Sequence, residues 1–243
     1  MIDIFADLNA LSAAAARIFA EQAEKAIQAR GQFSVALSGG STPRRTYELL
    51  AEPPFRDGVP WTKTHVFWGD ERCVPADDPR SNYRMAREAL LDHLPIPPEQ
   101  IHPIPCAQQP LTAAERYETA LRGFFGERPP RFDLVFLGLG ANGHTASLFP
   151  GTPVLQERQR WVAEVYVAEQ DLFRVTLTAP LLNQAAVVVF LIAGVAKAAV
   201  LREILEGPQD PTRLPAQLIR PTDGELRWLV DQAAAGLVGH KNP

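Results

Sequence analysis

The sequence predicts an α/β fold, in which a parallel sheet carries helices on both faces within a single domain over residues 1–243. Two observations lead to this prediction: several short strands are apolar throughout, and amphipathic helices separate them. Such apolar strands are typical of parallel sheets that are covered on both sides. A length of 243 residues suits one large domain, and no repeat or linker divides the chain.

The elements follow in order along the chain. A helix is predicted from Leu8 to Ile27 because apolar residues recur at three- and four-residue steps, and Gly31 ends it. Thr112 and Glu115 have the spacing of a capping box for a later helix. The predicted strands cover 33–37, 65–68, 132–137, 161–167, 173–178 and 187–192, and the further helices 83–91, 112–125 and 195–205.

The composition argues against several classes of partner. A net charge of -4 offers no basic excess for nucleic acid or an anionic membrane surface, so an anionic ligand needs a local cationic pocket. Cys73 and Cys106 have no partners at metal-ligand spacing, which predicts no metal site and suits a reducing cytoplasm. No basic residue precedes Arg17, and the apolar stretch 185–196 is too short for a bilayer, so neither a secretory signal nor a membrane span is expected.

Parallel sheets bind ligands beyond the carboxyl ends of their strands, which makes the segments after the strands candidate sites. The first is SGGSTP at 38–43. Its glycines allow close approach of a ligand, Ser41 or Thr42 is expected to cap the next helix, and Pro43 is expected at its first position. Free N–H groups at a helix start suit a phosphate. The alternative is a tight turn with a good cap; a Walker loop is excluded, because the Gly-Lys-Ser/Thr ending is absent.

The second candidate segment is GDERC at 69–73. It places two carboxylates and the Arg72 guanidinium beyond a strand end. A solvated turn or a local ion pair is the alternative interpretation. Ser81 or Asn82, further along, could cap the following helix.

The third candidate segment is GLGANGHTASLFPG at 138–151, which also contains the pattern GxGxxG. A dinucleotide site would need a full helix after the glycines and an acidic residue about twenty positions on. Pro150 and Gly151 end any such helix early, which argues against a nicotinamide cofactor. Of the five histidines, His144 lies in this glycine-rich segment. Since a lone histidine is more often structural, its role depends on its neighbours.

Three segments, taken in order, resemble the 6-phosphogluconolactonases, with glucosamine-6-phosphate deaminases as more distant members of the superfamily. They are ALSGGSTPRRTYELL, FWGDERCVPADDPRSNYRMAREALL and FDLVFLGLGANGHTASLFPG. The resemblance continues through 173–178, 194–197 and 221–231, and so covers nearly the whole chain. It implies a Rossmann-like sheet and hydrolysis of 6-phospho-D-glucono-1,5-lactone to 6-phosphogluconate in the oxidative pentose phosphate pathway. It implies no cofactor, and a cytoplasmic monomer or small homo-oligomer is expected.

The resemblance also implies roles for individual residues. His144, near the ordinary histidine pKa of ~6.5, is expected to be the catalytic base. The family often has Asp at the position of Asn142, so Asn142 is interpreted as a positioning residue that raises the basicity of His144 less than a carboxylate would. Arg72 is expected to help bind the acid or to stabilise an oxyanion. The remaining expected substrate contacts are Gly39, Gly40, Ser41, Thr42, Arg174 and Lys197.

Two other functions compete with the lactonase. The deaminases share the fold and the phosphate loop, but their motif has an acid soon after the histidine, in a stretch resembling GHIAFNEP. Phe149 stands at that place here, which argues against proton transfer between C1 and C2. A non-catalytic sugar-phosphate sensor would normally carry a DNA-binding helix-turn-helix, for which this chain leaves no residues.

Overall fold

Nine strands and eight helices account for the longer regular elements of this computed structural model, which describes residues 1–107 and 109–239. The strands are β1 (Ile2–Phe5), β2 (Phe33–Leu37), β3 (Thr64–Trp68), β4 (Asp70–Arg72), β5 (Leu134–Leu137), β6 (Val162–Val167), β7 (Leu172–Leu177), β8 (Val187–Ile192) and β9 (Glu225–Asp231). The helices are α1 (Leu8–Arg30), α2 (Ser41–Leu50), α3 (Phe55–Gly58), α4 (Asn82–Ala89), α5 (Pro110–Phe125), α6 (Ala179–Leu182), α7 (Ala198–Glu206) and α8 (Gln232–Ala235).

Six strands form one parallel sheet in the order β1-β9-β8-β5-β2-β3. Helices flank it, which confirms the predicted fold class. The strands β2, β5 and β8 are buried along their whole length. Their sequences, apolar except for Ser34 in β2, follow from this position, because no face of these strands meets water.

Helix α1 packs an apolar stripe against the sheet. The Phe19 ring lies 5.1 Å from the ring of Phe33 and 6.4 Å from that of Phe136, measured between ring centroids. The helix ends where predicted, because Gly31 takes a left-handed conformation with φ of 78°. No helix among residues 1–107 and 109–239 is long and apolar enough to cross a membrane.

The strands predicted at 161–167 and 173–178 do not join the parallel sheet, so that part of the prediction is wrong. They are β6 and β7, an antiparallel hairpin that pairs with β4 in a second sheet of order β4-β7-β6. Only the short turn Ala168–Gln170 and Asp171, with φ of 46°, connect them. A parallel pair would need a crossover of a dozen residues or more, so this short connection requires a hairpin.

Three further details differ from the sequence prediction. The segment Asp70–Arg72, expected as a loop, is the strand β4, and the edge-region strands β1 and β9 were not predicted. Charged residues such as Arg227 interrupt the apolar pattern of β9. Helix α5 begins at Pro110, so Thr112 and Glu115 do not form a capping box. Pro110 takes the first position because its fixed φ suits a helix start and it has no N–H to satisfy.

The strand order creates a crevice at the carboxyl edge of the sheet. The chain runs from β2 to β3 on one side, whereas β5 lies on the other side of β2. The connections after β2 and β5 therefore leave in opposite directions. Ligands of open α/β sheets bind at such a point.

Candidate active site

A cavity of about 260 Å³ opens at this crevice. The segments that follow β2, β5 and β8 contribute to its wall, as does the start of α4. The second sheet adds Asp70 and Arg72 from β4 and Arg174 from β7. A larger cavity of about 480 Å³ lies at the opposite edge of the sheet, beside Ser34 and Asp133, and it contains none of the predicted site residues. The smaller cavity brings together six of the predicted residues, namely Gly39, Gly40, Arg72, His144, Arg174 and Lys197.

Helix α2 points its uncapped start toward the crevice. Gly40, with φ of 105°, is the residue before the helix and makes no side-chain cap, so the prediction that Ser41 or Thr42 caps α2 is wrong. Ser41 and Thr42 are instead its first two helical residues, and Pro43 is the third rather than the first. Because the first N–H groups of a helix have no intrahelical acceptor, this start can receive an anion. Ser41 and Thr42 themselves are not in the cavity wall.

Lys197 supplies a positive charge from the other side of the crevice. It ends a short 3-10 turn, Val195–Lys197, which precedes α7 in place of the continuous helix predicted at 195–205. The turn begins at Gly194, whose N–H donates to both carboxylate oxygens of Asp231 at 3.0 Å. No ion pair with Lys197 occurs among the described residues, and partial burial lowers the pKa of its ammonium group. Lys197 is therefore a cation available to an anionic ligand.

The antiparallel pairing of β4 with β7 places Arg72 directly opposite Arg174. Two like charges in this position repel each other, so each guanidinium needs its own acceptors. Arg72 Nη1 donates to the backbone oxygen of Arg80 at 2.6 Å and to Asn82 Oδ1 at 2.8 Å. Arg174 Nη2 donates to Gln170 Oε1 at 2.6 Å. Arg174 also keeps a buried Nε with no partner in the described part of the chain.

Asp70 connects the two sheets beneath the cavity. Its Oδ2 accepts from Ser147 Oγ at 2.6 Å and lies 3.4 Å from Arg174 Nη1, and both members of this ion pair are buried. Its Oδ1 accepts from Asn82 Nδ2 at 3.2 Å. A buried carboxylate is stable only when it is paired and hydrogen-bonded in this way. Asp70 thus lies in the wall and also fixes Arg174.

Two residues near the cavity have no place in the site that the motifs predict. They are Asn82, which lies in the cavity wall, and Ser147, which is buried against Asp70. Ser81 caps α4 through its Oγ, which accepts from Arg84 N at 3.1 Å, so Asn82 is free to bind Arg72 and Asp70 instead. The position of Gly39 gives a matching constraint, because a Cβ there would lie 1.8 Å from Asn82 Oδ1. The sequence offers no signal for Ser147, whose role depends on the fold around Asp70.

Glu71 has a structural role. Its buried carboxylate accepts from the N–H groups of Arg72, Asn82 and Tyr83 at 2.8, 2.7 and 2.7 Å and from Ser81 Oγ at 3.0 Å. Burial raises the pKa of this carboxyl group, and the three backbone hydrogen bonds oppose the increase. Glu71 thereby ties the start of α4 to β4. The side chains of Arg44, Arg45, Glu71 and Arg80 are absent from the cavity wall.

His144 is held by Asn142. Asn142 Oδ1 lies 2.6 Å from His144 Nδ1 and also accepts the His144 backbone N–H at 3.2 Å. Because an amide oxygen accepts hydrogen bonds and cannot donate them, His144 Nδ1 carries the proton in this contact. In the neutral ring, Nε2 is therefore unprotonated. Gly140 makes room for the ring, since a Cβ there would lie 2.0 Å from Nδ1. Asn142 is outside the cavity wall and acts through His144.

The environment of the ring keeps it neutral. Phe149 stacks on the His144 ring with centroids 4.0 Å apart and planes inclined by 20°, and the Arg174 guanidinium lies 5.2 Å from the Phe149 centroid. Burial lowers the pKa of His144 to about 4; Asp70 opposes this shift, whereas Arg174, Lys197 and Arg72 add to it. The expectation of an ordinary pKa is therefore wrong. Loss of solvent around the ring and the nearby cations both disfavour its protonated form.

The segment after β5 forms turns and one bridge between Thr145 and Leu148, and no helix follows its glycines. A dinucleotide site of the GxGxxG type requires that helix for the pyrophosphate. Ala146, which lies in the cavity wall, has a φ of 47°, a conformation that costs energy for a residue with a side chain. The geometry is that of a site which binds a small anion at the edge of a parallel sheet and presents a neutral imidazole to it.

Comparison with known proteins places the chain in a family. Residues 6–228 match the family of glucosamine-6-phosphate isomerases and 6-phosphogluconolactonases, and the chain belongs to this family. The 6-phosphogluconolactonase of Synechocystis sp. is 50% identical over 214 residues, which cover 86% of each chain. That of Nostoc sp. is 42% identical over 238 residues, or 96% of each chain. The solved structure of the Trypanosoma brucei enzyme of that name is 33% identical and has a TM-score of 0.84, with 97% of each chain covered.

Proposed function

We propose that this protein is a 6-phosphogluconolactonase, which hydrolyses 6-phospho-D-glucono-1,5-lactone to 6-phosphogluconate. One observation carries the proposal: the imidazole of His144, whose Nδ1 faces Asn142 Oδ1, lies in a cavity with three cationic side chains. The names of its relatives support the same reaction. A phosphorylated lactone needs both features, a base for water and positive charge for the phosphate.

The phosphate binds between the start of α2 and Lys197. The N–H groups of Ser41 and Thr42 supply hydrogen-bond donors, and the Lys197 ammonium supplies charge. Gly39 and Gly40 let the backbone approach the phosphate oxygens closely. Arg174 contributes positive charge from the cavity wall. Because the phosphate is several bonds from the reacting carbon, its binding serves to align C1 with His144.

His144 acts as a general base on water. As the water oxygen attacks C1, a proton passes to His144 Nε2, and the carbonyl oxygen becomes the oxyanion of a tetrahedral intermediate. Arg72 stabilises this oxyanion through its guanidinium, a contribution of about 3 kcal/mol where donors are fixed in advance. When the C1–ring oxygen bond breaks, the imidazolium returns the proton to the departing oxygen. The base ends the cycle neutral, and no covalent nucleophile takes part.

The low pKa of His144 is compatible with this role. A neutral imidazole is ready to accept a proton throughout the neutral pH range. The bound phosphate also adds negative charge near Lys197 and Arg174, two of the groups that lower the pKa of His144. Binding of the substrate therefore raises the basicity of the ring at the moment when a base is needed.

A product assay tests the proposal. Freshly generated lactone is incubated with the protein, and formation of the acid is measured above spontaneous hydrolysis. We expect rapid turnover, which His144→Ala should reduce by about 10²- to 10⁴-fold in kcat, the usual contribution of a general base. Near-normal turnover by this variant would contradict the role of His144. Release of ammonia from glucosamine 6-phosphate, without lactone turnover, would assign the chain to the other branch of the family.

A further inference from the structure

The two cysteines of the chain meet in space, although 33 positions separate them. The Sγ atoms of Cys73 and Cys106 lie 3.3 Å apart, and both thiols are free. Neither side chain belongs to the cavity wall, so the proposed reaction does not use them.

The surroundings give the two thiols different roles. Cys73 follows Arg72 at the end of β4, is half-buried, and donates its backbone N–H to Phe173 O at 2.9 Å. Cys106 is 8% exposed and lies in the turn at 106–107. A reagent in solution therefore reaches Cys73 more readily than Cys106.

The contact also gives the two thiols different acidities. The hydrogen bond with Cys106 lowers the pKa of Cys73, and the same bond, together with burial, raises the pKa of Cys106. The thiolate is the form that reacts with oxidants. Cys73 is therefore the nucleophile of the pair, and Cys106 is positioned to resolve its oxidised form.

We propose that Cys73 and Cys106 are an oxidation site, which a peroxide converts reversibly into an intramolecular disulfide that ties the end of β4 to the segment before α5. The Cys73 thiolate attacks one oxygen of hydrogen peroxide, the O–O bond breaks, and the products are a sulfenic acid and hydroxide, which is protonated to water. Cys106 Sγ then attacks the Cys73 sulfur and expels a second water molecule. In total two thiols lose two hydrogen atoms, and one peroxide becomes two water molecules.

Position within the fold makes the disulfide attainable. Cys73 is fixed by the ladder between β4 and β7, whereas Cys106 lies within residues 102–107, which form no helix or ladder strand. The two sulfur atoms must move closer together to form the bond, and this movement can come from the residues around Cys106. Arg72, one residue before Cys73, keeps its own acceptors in Arg80 and Asn82.

Intact-mass measurement tests the proposal on the whole chain. The reduced protein is treated with a slight excess of hydrogen peroxide, and the mass should fall by two hydrogen atoms while both thiols become unreactive to alkylation. Peptide mapping should join Cys73 to Cys106, and dithiothreitol should restore both thiols. Retention of two alkylatable thiols, linkage between two chains, or further oxidation of Cys73 to the sulfinic acid would each overturn the proposal.

Single variants separate the two roles. In Cys106→Ser, the Cys73 sulfenic acid has no resolving partner and should be trapped by dimedone. In Cys73→Ser, the matched control, Cys106 should stay reduced under the same conditions because it is buried. Dimedone labelling of Cys106 in that control would contradict the assignment of nucleophile and resolving thiol.

Discussion

A single amide decides which nitrogen of His144 carries the proton. Asn142 Oδ1 accepts both the backbone N–H and Nδ1–H of His144, so the ring can be held in only one tautomer. A carboxylate would fix the same tautomer and add a negative charge. Asn142 keeps the geometry without the charge. A carboxylate would determine both the orientation and the basicity of the histidine. In this protein Asn142 determines the orientation without adding a charge that raises the basicity.

The protonation state of His144 can be observed directly. We expect long-range ¹H–¹⁵N spectra to show the Nδ1–H tautomer at neutral pH and protonation only near pH 4, because burial disfavours the charged ring. Since the pKa of His144 in the folded protein lies below the ordinary value of ~6.5, the imidazole stays neutral as the pH falls to about 4. Below that pH the ring is protonated and can no longer accept a proton. His102 titrates in the same range, so His144→Gln is needed to assign the signal. An Nε2–H tautomer or a pKa near 6.5 would contradict this account.

Restoring the carboxylate tests the separation of geometry and charge. In Asn142→Asp, the new charge beside Nδ1 should raise the pKa of His144 by ~1–3 units, the usual effect of an opposite charge at this distance. The tautomer should not change. The same NMR titration measures the shift, and Asn9→Asp, an exposed site on α1, serves as the control. An unchanged pKa in Asn142→Asp would mean that solvent screens this position.

Lys197 should act on binding rather than on the chemical step. Its ammonium has no ion pair in the described part of the chain, so Lys197→Ala removes a cation without leaving a carboxylate unpaired. We expect KM for the phosphorylated lactone to rise about 10-fold or more, with kcat changed little, because a charge-assisted contact contributes roughly 1.5–3 kcal/mol. Lys25→Ala, on the exposed side of α1, should leave both constants unchanged. A large fall in kcat with KM unaltered would instead show that Lys197 takes part in the chemical step.

At the scale of elements, the sequence predicted the parallel sheet better than the site. Apolar runs, interrupted only by Ser34 in β2, identify β2, β5 and β8, because both faces of these strands are buried. The pairing of Arg72 with Arg174 could not be read in the same way, since it depends on β4 and β7 meeting in a second sheet. Its one signal was the short connection at 168–171, which excludes a parallel crossover.

The contacts of Asp70 show why the remaining site residues were missed. Ser147 and Asn82 bind it from segments far apart in sequence, and Asn82 resembles a helix cap until Ser81 is seen to take that place. Motif spacing predicts residues that act on a ligand from one loop. It carries no information on side chains that only meet when several loops converge.

Two glycines allow a matched test at this scale. Gly140→Ala should displace His144, because the new Cβ would lie 2.0 Å from Nδ1, and should reduce kcat by about 10²-fold or more. Gly123 is exposed within α5 and has open space around its Cβ position. Gly123→Ala should therefore keep full activity and stabilise the fold by ~0.5–1 kcal/mol, the helix preference of alanine over glycine. Steady-state kinetics and thermal unfolding of both variants check this contrast, and a fully active Gly140→Ala would refute the packing argument.

For the molecule as a whole, charge is distributed unevenly. The chain has a net charge of -4, yet Arg72, Arg174 and Lys197 meet in one cavity that contains a single carboxylate, Asp70. The fold creates this arrangement because the segments that follow β2, β5 and β8 of the large sheet meet the strands β4 and β7 of the small sheet at the crevice. A dianionic substrate therefore approaches a protein that repels it on average and attracts it at the crevice.

This arrangement predicts how the reaction depends on salt. Screening weakens the attraction between the cavity and the phosphate, so kcat/KM for the phosphorylated lactone should fall several-fold to about 10-fold between 0.01 M and 0.5 M sodium chloride. The loss should lie in KM, since the step at C1 involves no net approach of charge. Glucono-1,5-lactone without the phosphate is the matched control, and its weaker turnover should depend little on salt. Equal salt dependence for the two lactones would show that the ions act on His144 or on folding, and not on the capture of the phosphate by Lys197 and the start of α2.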